Sequence, residues 1–266
     1  MSLEIIAEPG STHGGDYQKM VNLVDCAILA QANVIKFQWV SNAARLAARR
    51  NAPEYEEAYR LISFPAAWLE RLANYCHTSG IEFMCTAYLP EDVRIVEPLV
   101  KRFKIASFEA TDKAFLEAHN AFIYRPVILS TGMMTSNEVL KSFCVLSNVG
   151  AVLHCVSAYP TPVEEAHLDA IYQLRRIFAP LPVGFSDHTA QVTTGGLAVA
   201  AGAQILEVHY MAEGTPTSNP DRASALTVAK FIEYNNFARK VEKMMSYSPK
   251  GPRACEAPMM KFQVRA

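Results

Sequence analysis

The chain has 266 residues, half of them apolar, and a formal net charge of −1. That length is near the roughly 250 residues of one (β/α)8 barrel, and the apolar content supplies a large core. The charge balance speaks against a nucleic-acid surface, and no apolar run reaches the ~18 residues that a membrane span needs.

Short β-branched or aromatic runs recur along the chain, each followed by a helical pattern. The predicted strands are Glu4–Ala7, Val34–Phe37, Glu82–Cys85, Phe103–Ala106, Val127–Leu129, Ala151–Cys155, Val183–Phe185 and Ile205–Val208. The predicted helices between them are Gln18–Ala30, Pro65–Thr78, Glu91–Lys101, Ser136–Leu146, Glu164–Phe178, Val192–Ala201 and Leu226–Met245. Such alternation gives a parallel sheet with helical crossovers. Eight units without room for a second domain favour an α/β fold of a single TIM barrel over residues 1–245. A doubly wound open sheet is the alternative, weakened because no G-x-G-x-x-G follows the first strand.

The stretch Ser41–Ser63 is the longest interruption and carries Arg45, Arg49, Arg50 and Arg60. It reads as a solvated helical excursion or as a lid over a site. The tail 246–266 reads as a loop with a final short extended piece, not a second domain. The start, Met1-Ser2-Leu3-Glu4, has neither a basic nor a long apolar segment, so no secretory signal is expected. Six cysteines without a C-x-x-C fit core thiols in a reducing cytoplasm better than a cysteine zinc site.

Polar residues cluster where a barrel keeps its chemistry, at the C-terminal strand ends. They are Glu8; Lys36 and Gln38; Thr86; Lys104, Ser107 and Glu109; Ser130 and Thr131; Ser157 and Tyr159; Ser186, Asp187 and His188; Glu207 and His209. Lys36 and Lys104 sit in apolar strands, and a buried lysine needs an anion. That anion is either a barrel carboxylate such as Glu8 or Glu207, or a phosphorylated, carboxylated substrate held with help from Ser107, Ser130 and Ser186. His188 and His209 end adjacent strands and either hold one divalent metal or are hydrogen-bonded histidines. His13 follows the first strand as a further candidate, and His77, His119 and His154 read as surface or packing residues. Asp221 reads as an acid at the start of the last helix.

The ordered set Ala-Glu-Pro-Gly-Ser-Thr-His-Gly-Gly-Asp (7–16), Val-Ile-Lys-Phe-Gln (34–38), Phe-Lys-Ile-Ala-Ser (103–107), Pro-Val-Ile-Leu-Ser-Thr-Gly-Met (126–133), Leu-His-Cys-Val-Ser-Ala-Tyr-Pro-Thr-Pro (153–162), Gly-Phe-Ser-Asp-His-Thr (184–189) and Leu-Glu-Val-His-Tyr (206–210) resembles the sialic acid synthase family. The resemblance runs from Glu4 to about Leu226. It implies a metal-dependent condensation of phosphoenolpyruvate with the aldehyde of an open-chain, N-acetylmannosamine-like amino sugar, giving a 2-keto acid and phosphate. It further implies His188 and His209 as ligands of Mn2+ or Mg2+. Lys36, Lys104, Ser107, Ser130, Ser157 and Ser186 are implied as phosphoenolpyruvate contacts, and Glu8, Gln38, Tyr159 and Asp221 as groups facing the sugar or the reacting carbons.

The chain departs from the family pattern at Thr12, Val208, Ser157 and Thr86-Ala87-Tyr88-Leu89. The small C-terminal domain that gives the family a sugar-binding arginine from a partner subunit is expected to be absent. A homodimer or a separate completing chain is accordingly a possible partner. A Schiff-base aldolase using Lys36 or Lys104, and a non-catalytic sugar-acid-binding barrel, are the competing readings.

Overall fold

The computed structural model describes residues 2–246 and 249–264. The strands are β1 (Glu4–Glu8), β2 (Val34–Trp39), β3 (Glu82–Ala87), β4 (Phe103–Ile105), β5 (Val127–Ser130), β6 (Val149–Cys155), β7 (Val183–Asp187) and β8 (Ile205–Met211). A two-residue β9 (Leu226–Thr227) pairs in parallel with the end of β8. The helices are α1 (Tyr17–Leu29), α2 (Ala43–Arg49), α3 (Glu56–Arg60), α4 (Ala66–Thr78), α5 (Val93–Val96), α6 (Lys113–Asn120), α7 (Ser136–Val145), α8 (Asp169–Phe178), α9 (Thr194–Ala200) and α10 (Val228–Met244).

All strand pairings are parallel, in the order β3-β2-β1-β8-β7-β6-β5-β4. The first and last barrel strands pair over Glu4–Glu8 and Ile205–His209, and β3 and β4 stand in contact where the path ends. An open doubly wound sheet has no such pairing, so the fold is the (β/α)8 barrel. Helices pack on the outside for the usual reason. In α1, Met20, Leu23, Val24 and Ala27 form one buried stripe, and the Asp16 side chain caps the first turn by accepting from the Lys19 N–H. Met20, Leu23 and Val24, fully buried, contribute about 1.5–3 kcal/mol each.

Some expected elements differ from those observed. Glu91–Lys101 is not one helix but α5 flanked by two 3-10 turns, because Pro98 cannot donate a backbone hydrogen bond there. Expected from Glu164, α8 begins at Asp169, after His167 takes a positive φ of 43°. Asp221 does not start the last helix: α10 begins at Val228, capped by Thr227. The tail holds 3-10 turns at Ala254–Glu256 and Met260–Phe262, with no extended strand among its described residues. Met1 of the expected leaderless start, and tail residues 247, 248, 265 and 266, lie outside the described residues. Among the described residues, no helix is long and apolar enough to cross a membrane.

Strand parity decides what reaches the barrel interior. On β1, Ile5 and Ala7 face the helices while Ile6 joins Val34, Met84, Ile128, Leu153 and Ile205 in an inner apolar cluster. Two residues further along each strand, on the same face, stand Glu8, Lys36, Thr86, Ser130, Cys155 and Glu207. Lys104 shares this layer between outward Phe103 and Ile105. The apolar layer is the floor, and the polar layer above it is the bottom of a site.

Candidate active site

All twelve residues expected at the site line one cavity of about 750 Å³ at the C-terminal face of the barrel. This is room for a three-carbon donor beside a sugar. At its base the two lysines are already paired. Lys36 Nζ donates to Glu8 Oε1 at 2.5 Å and to Thr86 Oγ1 at 3.3 Å, and lies 3.6 Å from Glu207 Oε2. Lys104 Nζ lies 3.3 Å from Glu207 Oε1, which also accepts from Ser186 Oγ at 2.8 Å. Of the two anions considered for the lysines, the structure shows the barrel carboxylates Glu8 and Glu207. Burial alone would push the Glu8 carboxyl up, but Lys36, then His209 and Lys104, hold it well below the usual carboxylate range. Burial opposes the Lys36 charge, yet Glu207 and Glu8 raise its pKa and keep it an ammonium. Buried ion pairs of this kind are poor investments in stability compared with apolar packing.

Around this base stand the hydroxyls. Ser107 Oγ and Ser157 Oγ are 2.8 Å apart, and Ser130 and Ser186 are buried in the same wall. Gly132 makes this wall possible: a Cβ there would lie 2.2 Å from Ser157 Oγ and 2.9 Å from Cys155 Sγ. Gln38 Nε2 donates to Glu8 Oε1 at 2.7 Å. Asp221 reaches the site from a turn and accepts from the backbone N–H and the hydroxyl of Ser11, both at 2.6 Å. Gly10, at φ +55°, leaves space for it; a Cβ there would meet Asp221 Oδ2 at 2.5 Å.

The histidine rings of His188 and His209 have centroids 5.6 Å apart, with Tyr159 over them at 4.3 and 6.3 Å. A divalent ion about 2.1 Å from an imidazole nitrogen lies roughly 3 Å from the ring centroid, so this spacing fits one shared ion. His188 Nδ1 is hydrogen-bonded to the Val156 carbonyl at 2.8 Å, which assigns the proton to Nδ1 and leaves Nε2 with its lone pair. Burial, then His209, pushes His188 down to about 4, so its ring is neutral at pH 7. His209 Nε2 stands 3.6 Å from Glu8 Oε2, and His209 Nδ1 is buried without a hydrogen-bond partner. These donors suit a divalent ion that shares its remaining positions with water and substrate. Among the described residues no group of three or more His, Cys, Asp or Glu is arranged around a metal-sized point.

Several other expected groups are structural. His13 is buried against Phe37 and Phe64, and its Nδ1 accepts from the Gly15 N–H. His154 is satisfied by the Ala166 carbonyl and His119 by that of Phe115, while His77 is exposed. Thr131 bonds to the Leu153 carbonyl, and Asp187 accepts from Thr189 and Tyr234 behind the barrel wall.

The residues missing from the expected set are mostly those of the excursion. Helices α2 and α3 fold over the mouth, so that Arg49, Arg50, Tyr59 and Ile62 line the cavity. Arg50 Nε and Nη2 donate to Glu109 Oε1 at 2.9 and 2.5 Å. Glu109 and Glu207 carried a signal, being polar at strand ends, whereas Arg50 meets its partner across 59 residues of sequence.

The family model for NeuB matches residues 23–250. An uncharacterized protein of Methanocaldococcus jannaschii is 36% identical over 95% of this chain and 74% of its own length. The N,N'-diacetyllegionaminic acid synthase of Legionella pneumophila is 32% identical over 97% of this chain and 78% of its own. Among solved structures, the N-acetylneuraminic acid (sialic acid) synthetase of Leptospira borgpetersenii in complex with citrate superposes with a TM-score of 0.87 at 26% identity, covering 98% of this chain and 91% of that one. The matched span includes every barrel strand but the first and carries eleven of the twelve site residues expected from the sequence, all but Glu8, and this chain belongs to the NeuB family.

Proposed function

We propose that the chain condenses phosphoenolpyruvate with the aldehyde of an open-chain N-acetylated amino sugar, giving a sialic-acid-type 2-keto acid and phosphate. The observation that carries this reading is the meeting of two lysines, four serines and two histidines at one barrel mouth. The likeness to the N,N'-diacetyllegionaminic acid synthase and the N-acetylneuraminic acid synthetase supports the substrate class.

Lys36 and Lys104 supply positive charge to the donor, and Ser107, Ser130, Ser157 and Ser186 supply directed hydrogen bonds to its oxygens. As the donor enters, its anionic oxygens replace Glu8 and Glu207 as lysine partners. His188 and His209 would hold Mn2+ or Mg2+, which when bound supplies a Lewis acid that polarises the aldehyde oxygen. A carbon–carbon bond forms between C3 of the donor and the aldehyde carbon, and positive charge develops at C2. Water adds to C2, the bond from C2 to the phosphate oxygen breaks, the water oxygen becomes the keto group, and the water's two protons pass to the oxygen left by the aldehyde and to the departing phosphate. Glu8 faces this region through Oε2. Released from Lys36 as the donor binds, it is placed to orient that water or to take its proton. Gln38, Tyr159 and Asp221 form the side that meets the sugar.

The Schiff-base alternative draws less support, because Lys36 is held as an ammonium, which is not a nucleophile, and Lys104 is ion-paired. Phosphate release from phosphoenolpyruvate with Mn2+, measured across a panel of aldoses, tests the proposal. Release that needs both the ion and an N-acetylated aldose is expected. Borohydride trapping of a lysine adduct, with indifference to chelators, would overturn it.

A further inference from the structure

Three arginines tie the 43–60 segment to the barrel mouth, and they do so in different settings. Arg45 pairs with Glu91 at 2.5 Å on the surface, Arg49 pairs with Asp112, and Arg50 pairs with Glu109 in the cavity. The Glu109 side chain is only 3% exposed and that of Arg50 17%. The Arg50 guanidinium stands 4.9 Å from the ring centroids of both Tyr88 and Phe108, and 5.2 Å from that of Tyr59. Its Nη1 donates to the Tyr59 hydroxyl at 3.3 Å. Closure of the segment does not require this pair, because Val40, Leu46, Ile62, Tyr88 and Leu89 already form an apolar cluster beneath it.

The pair is one-sided. Both guanidinium donors go to Oε1, and Glu109 Oε2 is buried with no hydrogen-bond partner. Glu109 lines the same cavity as the histidine pair and Tyr159. A buried carboxylate oxygen without a donor is costly, and such oxygens in native sites await a ligand or water. A carboxylate already neutralised by an arginine calls for an uncharged donor, an O–H or an amide N–H, and repels a second anion.

We propose that Arg50 is the positioning residue of the acceptor subsite: it locks Glu109 so that Oε2 receives an O–H or N–H donor of a neutral N-acetylated sugar. This rests on the synthase reading above. The Tyr88-Leu89 turn, a departure from the family pattern, then has a physical role, since Tyr88 is one face of the box that holds Arg50. The assignment makes Glu109 the sugar contact, with Arg50 acting through it.

The test is two-substrate steady-state kinetics on Arg50→Lys, Arg50→Met, Glu109→Gln and the double variant Arg50→Lys/Glu109→Gln, with melting temperatures alongside. Lysine keeps the charge but cannot make the two-donor fork. Each single variant is expected to raise the acceptor KM by roughly tenfold or more, with the phosphoenolpyruvate KM within about twofold. The double variant should be no worse than Glu109→Gln alone, because both act through one group. An unchanged acceptor KM, equal losses for both substrates, or additive losses would overturn the assignment. If the wild-type chain turns over no aldose, the synthase reading fails by itself. Calorimetric titration of N-acetylmannosamine then decides the Arg50 assignment: binding lost in Arg50→Lys and in Glu109→Gln upholds it, and no binding to the wild-type chain overturns it.

Discussion

Lys104 and Arg50 reach the same cavity from opposite kinds of scaffold. Lys104 is fixed by strand parity: outward Phe103 and Ile105 leave it no direction but inward, above the apolar floor. Arg50 arrives at the end of the seven-residue helix α2 in an excursion, and its place depends on Glu109, Tyr59, Tyr88 and Phe108. The strand-borne wall carries paired lysines and hydroxyls suited to an anionic donor. The excursion supplies Arg50, which locks the Glu109 carboxylate on the turn after β4, an arrangement that on the proposed reading suits a neutral acceptor. On that reading the groups that touch either substrate stand on the barrel's strand ends and turns, whereas the residue that positions one of them stands on a segment that can change without rebuilding the sheet.

The largest expected effect lies on the strand wall. Lys36→Met takes from Glu8 its buried cationic partner, leaving Gln38 as its hydrogen-bond donor, and removes one of the two lysine partners of Glu207. It should cost about 3–5 kcal/mol in urea unfolding as well as donor binding. Lys104→Met should cost much less stability, since Glu207 keeps Lys36 and Ser186. Equal and small losses in both would contradict the heavier ion pairing of Lys36.

Acid should also weaken the barrel from within. Burial pushes His13, His119 and His188 down to about 4 from an ordinary 6.5. Between these values the unfolded chain takes protons that the folded chain refuses, so stability falls as pH drops from about 6.5 towards 4. Each group contributes up to about 1.4 kcal/mol per pH unit. Asp187, pushed up to about 6 from 3.8 by burial, works the other way, because the folded chain takes its proton first. These three histidines against Asp187 leave a net loss of roughly 3 kcal/mol per unit at most; His154, also lowered by burial, adds to it, and Asp92 and Glu109, raised by burial, subtract. Urea unfolding at pH 7 and pH 5.5 measures it, and equal stability at both would contradict the buried neutral histidines.

The smallest effect belongs to the outer edge of the excursion. The Arg45–Glu91 pair is solvated, with the arginine side chain 63% exposed. Arg45→Ala should change stability by less than about 1 kcal/mol and leave both KM values alone. A larger loss would mean that the excursion is held by surface charge rather than by its apolar cluster and the Arg50 box.

The same contrast explains how much was legible in the sequence. The eight strands and the strand-end series Glu8, Lys36, Lys104, Ser130, Ser186, Glu207 and His209 follow from period-two patterning and strand direction, both local properties. The pairing of the lysines was legible only as an alternative, because a buried lysine states a need for an anion without naming it. Asp221 looked like a helix-start acid because a Pro-Asp pair precedes an apolar run, yet a turn brings it back to Ser11. The Arg50 box was illegible, since its members come from α2, the end of α3, the turn after β3 and the turn after β4, and no periodicity links them.

The division of the cavity into a donor wall and an acceptor wall is tested most directly by calorimetric titration of phosphoenolpyruvate, in the presence of Mn2+, into the wild-type chain, Lys104→Met and Arg50→Lys. We expect Lys104→Met to weaken binding by tenfold to a hundredfold, as roughly 1.5–3 kcal/mol of charge-assisted bonding is lost, while Arg50→Lys binds as the wild type does. Weakened binding in Arg50→Lys with unchanged binding in Lys104→Met would place the donor under the excursion and contradict the account.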